Sequence, residues 1–177
     1  MSRADWKRGR FSAEVETQEI SEGLRGYQPA YGDHIDYFRY DYGKSTKHAV
    51  YDEAVESGRV FAGAVDVPVL DVRHGMGEVQ NEQDGFYTVG ALEISASFRQ
   101  LSRTGLTDID LRNARYLRDR IAYDGRIFRV REMRVKGQIQ RSDVVVEMSA
   151  VQLKSDELVN DPQFAQYVND PTVLPRP

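Results

Sequence analysis

Hydrophobic and polar positions alternate most cleanly near the middle of the chain. Leu92, Ile94, Ala96 and Phe98 recur at period two, while Glu93, Ser95, Ser97 and Arg99 take the other face. That spacing predicts a half-buried strand. Regular patterning begins earlier, at residue 59, where Val60, Ala62 and Ala64 alternate with other residues. Pro68 then precedes Val69-Leu70-Asp71-Val72. Proline cannot donate to a ladder, so the pattern predicts two short strands or one edge strand with a break. Gly75-Met76-Gly77 ends that run, and Glu78 to Asp84 reads as a polar loop. Further on, Leu117 to Tyr123 and Arg126 to Val130 flank Asp124-Gly125, a two-residue hairpin signal. A last strand is expected from Val144 to Val151, after a polar turn from Lys136 to Asp143.

The flanks read differently. Residues 1–58 hold few aliphatic residues and many charges, glycines and tyrosines, so they are assigned to an N-terminal extension or arm. Their aromatics, Tyr37, Phe38, Tyr40, Tyr42 and Tyr51, suggest a segment that lies on its own barrel or on a neighbouring subunit. A short helix is possible from Thr46, capped by Ser45 or Thr46. Residues 102–116 read as a loop or as a short helix capped by Asp108 or Asp110. Residues 155–177, with four prolines at 162, 171, 175 and 177, read as a C-terminal arm, docked on a partner or unstructured. The expected fold is mainly β: a small antiparallel barrel or sandwich over 59–154, with an extension at each end.

Composition narrows the functional classes. The chain has 177 residues, enough for one domain with a real core, and no cysteine, so disulfides and thiolate zinc sites are excluded. Its formal net charge of −4 provides no general basic field for nucleic acid. Lys7, Arg8 and Arg10 beside Trp6 form a small basic cluster that reads as a solvated terminal arm. The N-terminal residues show no apolar signal core, and no stretch approaches the ~20 apolar residues of a membrane span, so assembly in a cytoplasm is expected and no membrane contact.

Catalytic signatures are sparse. His34 and Asp36 sit at strand spacing, but third and fourth metal ligands are lacking, and His74 reads as a surface residue. There is no G-x-S-x-G elbow. Gly43-Lys44-Ser45 has Phe38 where a phosphate-binding loop needs its first glycine. The carboxylates Asp52, Glu53 and Glu56 read as a solvated face. No enzyme activity, metal or cofactor is expected. The charged hairpin says more. Arg115, Arg118, Arg120, Arg126, Arg129, Arg131 and Arg134 are interspersed with Asp108, Asp110, Asp119 and Asp124. Arginine's planar fork favours bidentate contact and stacking. Three readings fit: an exposed hairpin laced with salt bridges, a subunit interface, or an arginine-lined channel that passes DNA.

Tyr51-Asp52-Glu53, Val67 to Leu70, Asp84-Gly85-Phe86-Tyr87 and above all Tyr116 to Val130 resemble the head-to-tail connector (stopper) proteins of siphophages infecting actinobacteria. Gln152-Leu153, Asp156 to Leu158 and Asp161 to Phe164 are similar too, so the resemblance covers about residues 37–165. It is a pattern of turns and hydrophobic positions, with no catalytic signature. It implies a virion protein of the phage neck with a small β-barrel. Copies would form a ring that closes the DNA-filled head and joins it to the tail. The implied partners are copies of itself, portal or adaptor proteins on the head side, a tail terminator or tail tube on the other, and genomic DNA in transit. Gly75, Met76, Gly77, Glu78, Gln80, Asn81 and Asp84 are the candidate channel loop. Tyr37, Phe38, Tyr40, Tyr42, Tyr51, Arg118, Arg120, Arg126 and Arg129 are the candidate interface. A tail terminator is the nearest alternative; a mainly helical adaptor suits the strand pattern less. A nucleic-acid-binding barrel would need aromatics alternating with basic residues on one strand face, for which Phe128-Arg129 is the one short hint.

Overall fold

Asp124 and Gly125 take positive φ angles of 48° and 69°, as a type I′ turn requires, and join β5 (Arg120–Tyr123) to β6 (Arg126–Ile139). The hairpin belongs to a computed structural model that describes residues 13–45, 58–82, 85–139, 142–158, 161–164 and 166–167. The remaining strands are β1 (Asp33–Phe38), β2 (Val65–Val69), β3 (Asp71–Glu82), β4 (Gly85–Ser97) and β7 (Ser142–Gln152). All seven form one antiparallel sheet in the order β2-β1-β5-β6-β7-β4-β3.

β2 and β3 stand at opposite ends of that order, yet Leu70 alone separates them. The sheet must therefore curl until its two ends meet. Leu70 marks the seam, where its N–H donates to Ser95 O at 2.8 Å. Pro68 lies in β2, an end strand, where a missing donor is tolerated. The fold is thus mainly β, as expected, and of the two architectures expected, barrel or sandwich, a single curled antiparallel sheet corresponds to the barrel.

Alternation fills the inside. Ile35, Tyr37, Val67, Val69, Leu92, Ile94, Ile121, Val146, Met148 and Ala150 are buried in one cluster. Val130 and Met133, an odd number of residues apart, both join it because the ladder shifts register between Val130 and Glu132. A bulge inserts one residue and flips the later side chains to the other face.

One end of the barrel is stoppered by 98–118. This segment holds α2 (Phe98–Leu101), α3 (Asp108–Arg112) and two 3-10 turns, and it contributes Leu101, Leu106 and Tyr116 to the core. α3 is capped by Thr107, not by either aspartate. Thr107 Oγ1 accepts from Asp110 N–H at 3.2 Å, and the Asp110 carboxylate accepts from Thr107 N–H at 3.1 Å, a capping box.

Several boundaries differ from the sequence reading. Residues 1–58 are not one arm: α1 (Ala13–Tyr31) is a helix of 19 residues, and β1 lies within the sheet between β2 and β5. Glu78 to Glu82 and Lys136 to Ile139 are strand where a loop and a turn were expected. Residues 58–64 are irregular except for the Tyr40–Phe61 bridge. The proposed helix at Thr46, the aromatic Tyr51, the acidic group at 52–56 and the basic cluster at 7–10 lie outside the described residues.

α1 meets the barrel at Gly32. A Cβ there would lie 2.3 Å from Val69 O and 2.7 Å from Gln28 O, both backbone atoms that cannot swing aside. Gly32→Ala should force the helix off β2 and cost about 1–3 kcal/mol, read as a lower melting temperature. An unchanged melting temperature would mean the approach is looser.

Candidate functional site

Past Gly75 and Ala91, β3 and β4 pair only with each other. β7 ends at Gln152, whereas the β3–β4 register continues from Glu78↔Val89 to Glu82↔Gly85. The two strands therefore leave the barrel mouth as a two-stranded ribbon. It projects from the end that also carries the Asp124-Gly125 turn, opposite the 98–118 stopper. Gly75, Met76, Gly77, Glu78, Gln80 and Asn81 lie on β3 of this ribbon rather than in an irregular loop, and Asp84 lies outside the described residues. The polar composition that suggested a loop is also what a ribbon with no barrel face to bury would carry.

A second cluster lies outside the barrel wall. Phe38, Tyr40, Phe61, Ala122, Ile127, Leu153 and Phe164 are buried together. Phe164 makes edge-to-face contacts with Phe38 and Phe61, at centroid distances of 4.9 and 5.0 Å. The C-terminal segment through 167, including α4 (Ser155–Leu158) and a 3-10 turn at Pro162–Phe164, thus packs on its own barrel. This corrects the expectation of an arm docked on a partner or unstructured, as far as residue 167.

Charged groups sit beside that cluster. Asp119 is buried; it accepts from Tyr37 O–H at 2.6 Å and from Tyr40 N–H at 2.8 Å. Arg120 is buried too. Its Nη2 donates to Asp161 Oδ2 at 3.3 Å, its Nη1 to Arg118 O at 3.0 Å, and its guanidinium lies 5.3 Å from the Phe61 ring centre. Arg59 reaches the other Asp161 oxygen at 3.5 Å. A third group joins Arg39 to Asp110 at 2.7 Å and to Gly105 O, with Arg115 at 3.5 Å from the same carboxylate. Together these contacts tie β1, the 98–118 stopper, β5 and the C-terminal segment.

The candidate interface residues divide accordingly. Tyr37, Phe38, Tyr40 and Arg120 are enclosed by their own chain, which corrects the expectation that they meet a neighbour. Tyr42 and Arg129 are exposed; Arg118 and Arg126 are half-buried. Arg118 lies over the Tyr40 and Tyr42 rings at 5.5 and 5.7 Å, and Tyr42 O–H donates to Arg115 O at 3.0 Å. Arg134 pairs with Glu132 at 2.6 Å on the surface. His34 pairs with Asp66 across β1 and β2 at 2.9 Å, both exposed. Among the described residues, no group of three or more His, Cys, Asp or Glu is placed to hold a metal ion. Asp119, Asp161 and Phe164 were not singled out as structural residues by sequence reasoning; each looks like an ordinary polar or tail position until the chain is closed.

No protein-family model matches the sequence, and no curated protein does. Among solved structures, a chain of a particle described as "Virion of native gene transfer agent (GTA) particle" superposes with a TM-score of 0.43 and 11% identity. The match covers 68% of this chain and 94% of that chain. Similarity at that level carries neither fold nor function across.

Burial raises the Asp119 carboxyl to about 6, against the opposing pull of the Tyr37 hydroxyl, the Tyr40 N–H and nearby arginines. The folded chain therefore binds this proton more tightly than the unfolded chain. Its contribution is fully present below about pH 4 and is lost as pH rises through about 6. At Asp110 burial also works upward, but bonds from Thr107 and Arg39 outweigh it and hold the carboxyl low, so that group destabilises only in stronger acid. Between pH 7 and pH 5 the protein should gain about 1 kcal/mol of stability that Asp119→Asn lacks. Urea midpoints at the two pH values check this; equal gains in both proteins would assign the effect elsewhere.

Proposed function

We propose that this protein is a structural component of the neck of a tailed phage particle, where copies form a ring that closes the DNA-filled head and joins it to the tail. The observation that carries the reading is a closed small barrel with one mouth stoppered and a long ribbon projecting from the other. A ring of such barrels can direct its ribbons toward a common axis. Residues 75–84 are then the part that meets DNA in the channel. Weak, sequence-blind phosphate contact suits that task better than a tight basic groove. The 116–130 segment, which carries most of the resemblance to stopper proteins, builds the second 3-10 turn and the β5–β6 hairpin, as a barrel element should. Portal or adaptor proteins would contact one face of the ring and a tail terminator or tail tube the other. Tyr42 and Arg129 are exposed and Arg126 is half-buried, and these would be the arm and hairpin residues at the ring contacts. No reaction is assigned to the chain, and no cofactor. Among the described residues, no helix is long and apolar enough to cross a membrane.

Cryo-electron microscopy of the particle that encodes the chain tests this. Density for the barrel as a ring between portal and tail, with ribbons pointing inward, is the expected result. Density at the end of the tail tube would make the protein a terminator, and absence from the particle would remove the structural role.

A further inference from the structure

A groove runs between α1 and the barrel beside the Leu70 seam. Arg25 of α1, Arg99 of α2 and Arg103 of the following 3-10 turn all line it. Among the described residues, no carboxylate lies within ion-pair distance of any of the three. Six other arginines, Arg39, Arg59, Arg73, Arg115, Arg120 and Arg134, sit against an acid. Gln100 lines the same groove, and its Oε1 is buried with no partner. Three unmatched cations and an unsatisfied amide are the signature of a surface built to be covered.

The same helix carries the complement. Glu19 and Glu22 are exposed, one turn apart, and form no ion pair; Glu22 only accepts from Gln18 at 2.9 Å. Arg25 stands one turn beyond Glu22 but lines the groove instead of pairing with it. Neither glutamate lines the groove. Opposite charges displaced from each other on one molecule describe a heterologous contact, in which each copy gives one patch and receives the other.

We propose that the arginine groove receives the glutamate-bearing face of α1 from a second copy of this chain. The proposal rests on the ring reading above and names the contact between its neighbours. It sets three arginines against two glutamates, so association should weaken with salt.

The test uses the full chain and two charge-reversal pairs, Arg25→Glu with Arg103→Glu, and Glu19→Arg with Glu22→Arg. Molar mass is followed by light scattering at about 50 mM and about 500 mM salt, where the screening length falls to a few ångströms. Wild type should associate at low salt and dissociate at high salt. Each variant alone should stay monomeric with an unchanged circular dichroism spectrum. Their equimolar mixture should regain association, because every contact in an alternating assembly again joins opposite charges. Variants that assemble like wild type overturn the groove contact while leaving the ring reading intact. A wild type that stays monomeric at low salt also overturns it, and the ring reading is then decided by the particle alone. Binding of inorganic phosphate that the arginine variant loses, with association intact, would make the groove an anion site and overturn the proposal.

Discussion

Asp119→Ala should lower the unfolding free energy by about 3–5 kcal/mol, enough to consume much of the stability of a domain this size. The cost has an identifiable source. Tyr37 O–H and Tyr40 N–H both end on this carboxylate in the interior. Without it, two buried donors lose their acceptor, each at about 1–3 kcal/mol. Tyr37→Phe should cost less, about 1 kcal/mol, because it removes a donor together with its need for a partner. The double variant should then be more stable than the sum of the two losses predicts, since one of the stranded donors is gone. Urea denaturation of the four proteins completes the cycle. Additive losses, or an alanine variant within 1 kcal/mol of wild type, would show that water satisfies the site and that the carboxylate does not organise it.

Phe164→Ala should cost about 3–4 kcal/mol by removing a fully buried ring from the outer cluster. The effect should also be local. Phe164 is the centre to which Phe38, Phe61 and Tyr167 all pack, and the neighbouring Asp161 holds Arg120. With the ring gone, residues 155–167 should come away first, so limited proteolysis should cut there well before the barrel unfolds. Leaving the segment also strips Arg120 of its carboxylate in an apolar setting, where burial already depresses the guanidinium's pKa. If cleavage and melting temperature match wild type, the segment is not part of the protomer's own core.

The central strand and the hairpin were legible because local rules decide them. Leu92 to Phe98 alternates strictly, and Asp-Gly between apolar runs has few other uses. α1 was not legible. Its inner face is built from Thr17, Ser21, Leu24 and Gln28, at helical spacing but mostly polar, and Gly23, Gly26 and Pro29 interrupt it. β1 was missed for a related reason: Asp33, His34 and Asp36 face out among only a few apolar residues, and its place in the sheet comes from β5, far along the chain. The polar run at 78–82 concealed a strand because a ribbon outside the barrel has no apolar face to show. For the site, composition pointed to the arginines but not to their fates. Arg120 and Arg129 are paired neighbours in the ladder, yet one is buried on Asp161 and the other exposed. The difference lies in which residue the C-terminal segment covers, and that is a tertiary fact.

The position of β1 sets a timetable. Its partner β5 ends at Tyr123, and Tyr37 and Asp119 stand 82 positions apart. At a synthesis rate of about 5–20 residues per second, β1 is made roughly 4–16 seconds before the strand that completes it. β2 follows about 30 residues after β1, and from then until β5 is made it is the one strand that Ile35 and Tyr37 can pair with. The Phe164 cluster forms later still. A chain with such distant pairings folds slowly, and its newly made N-terminal third is the part most in need of protection from aggregation while the rest is being built.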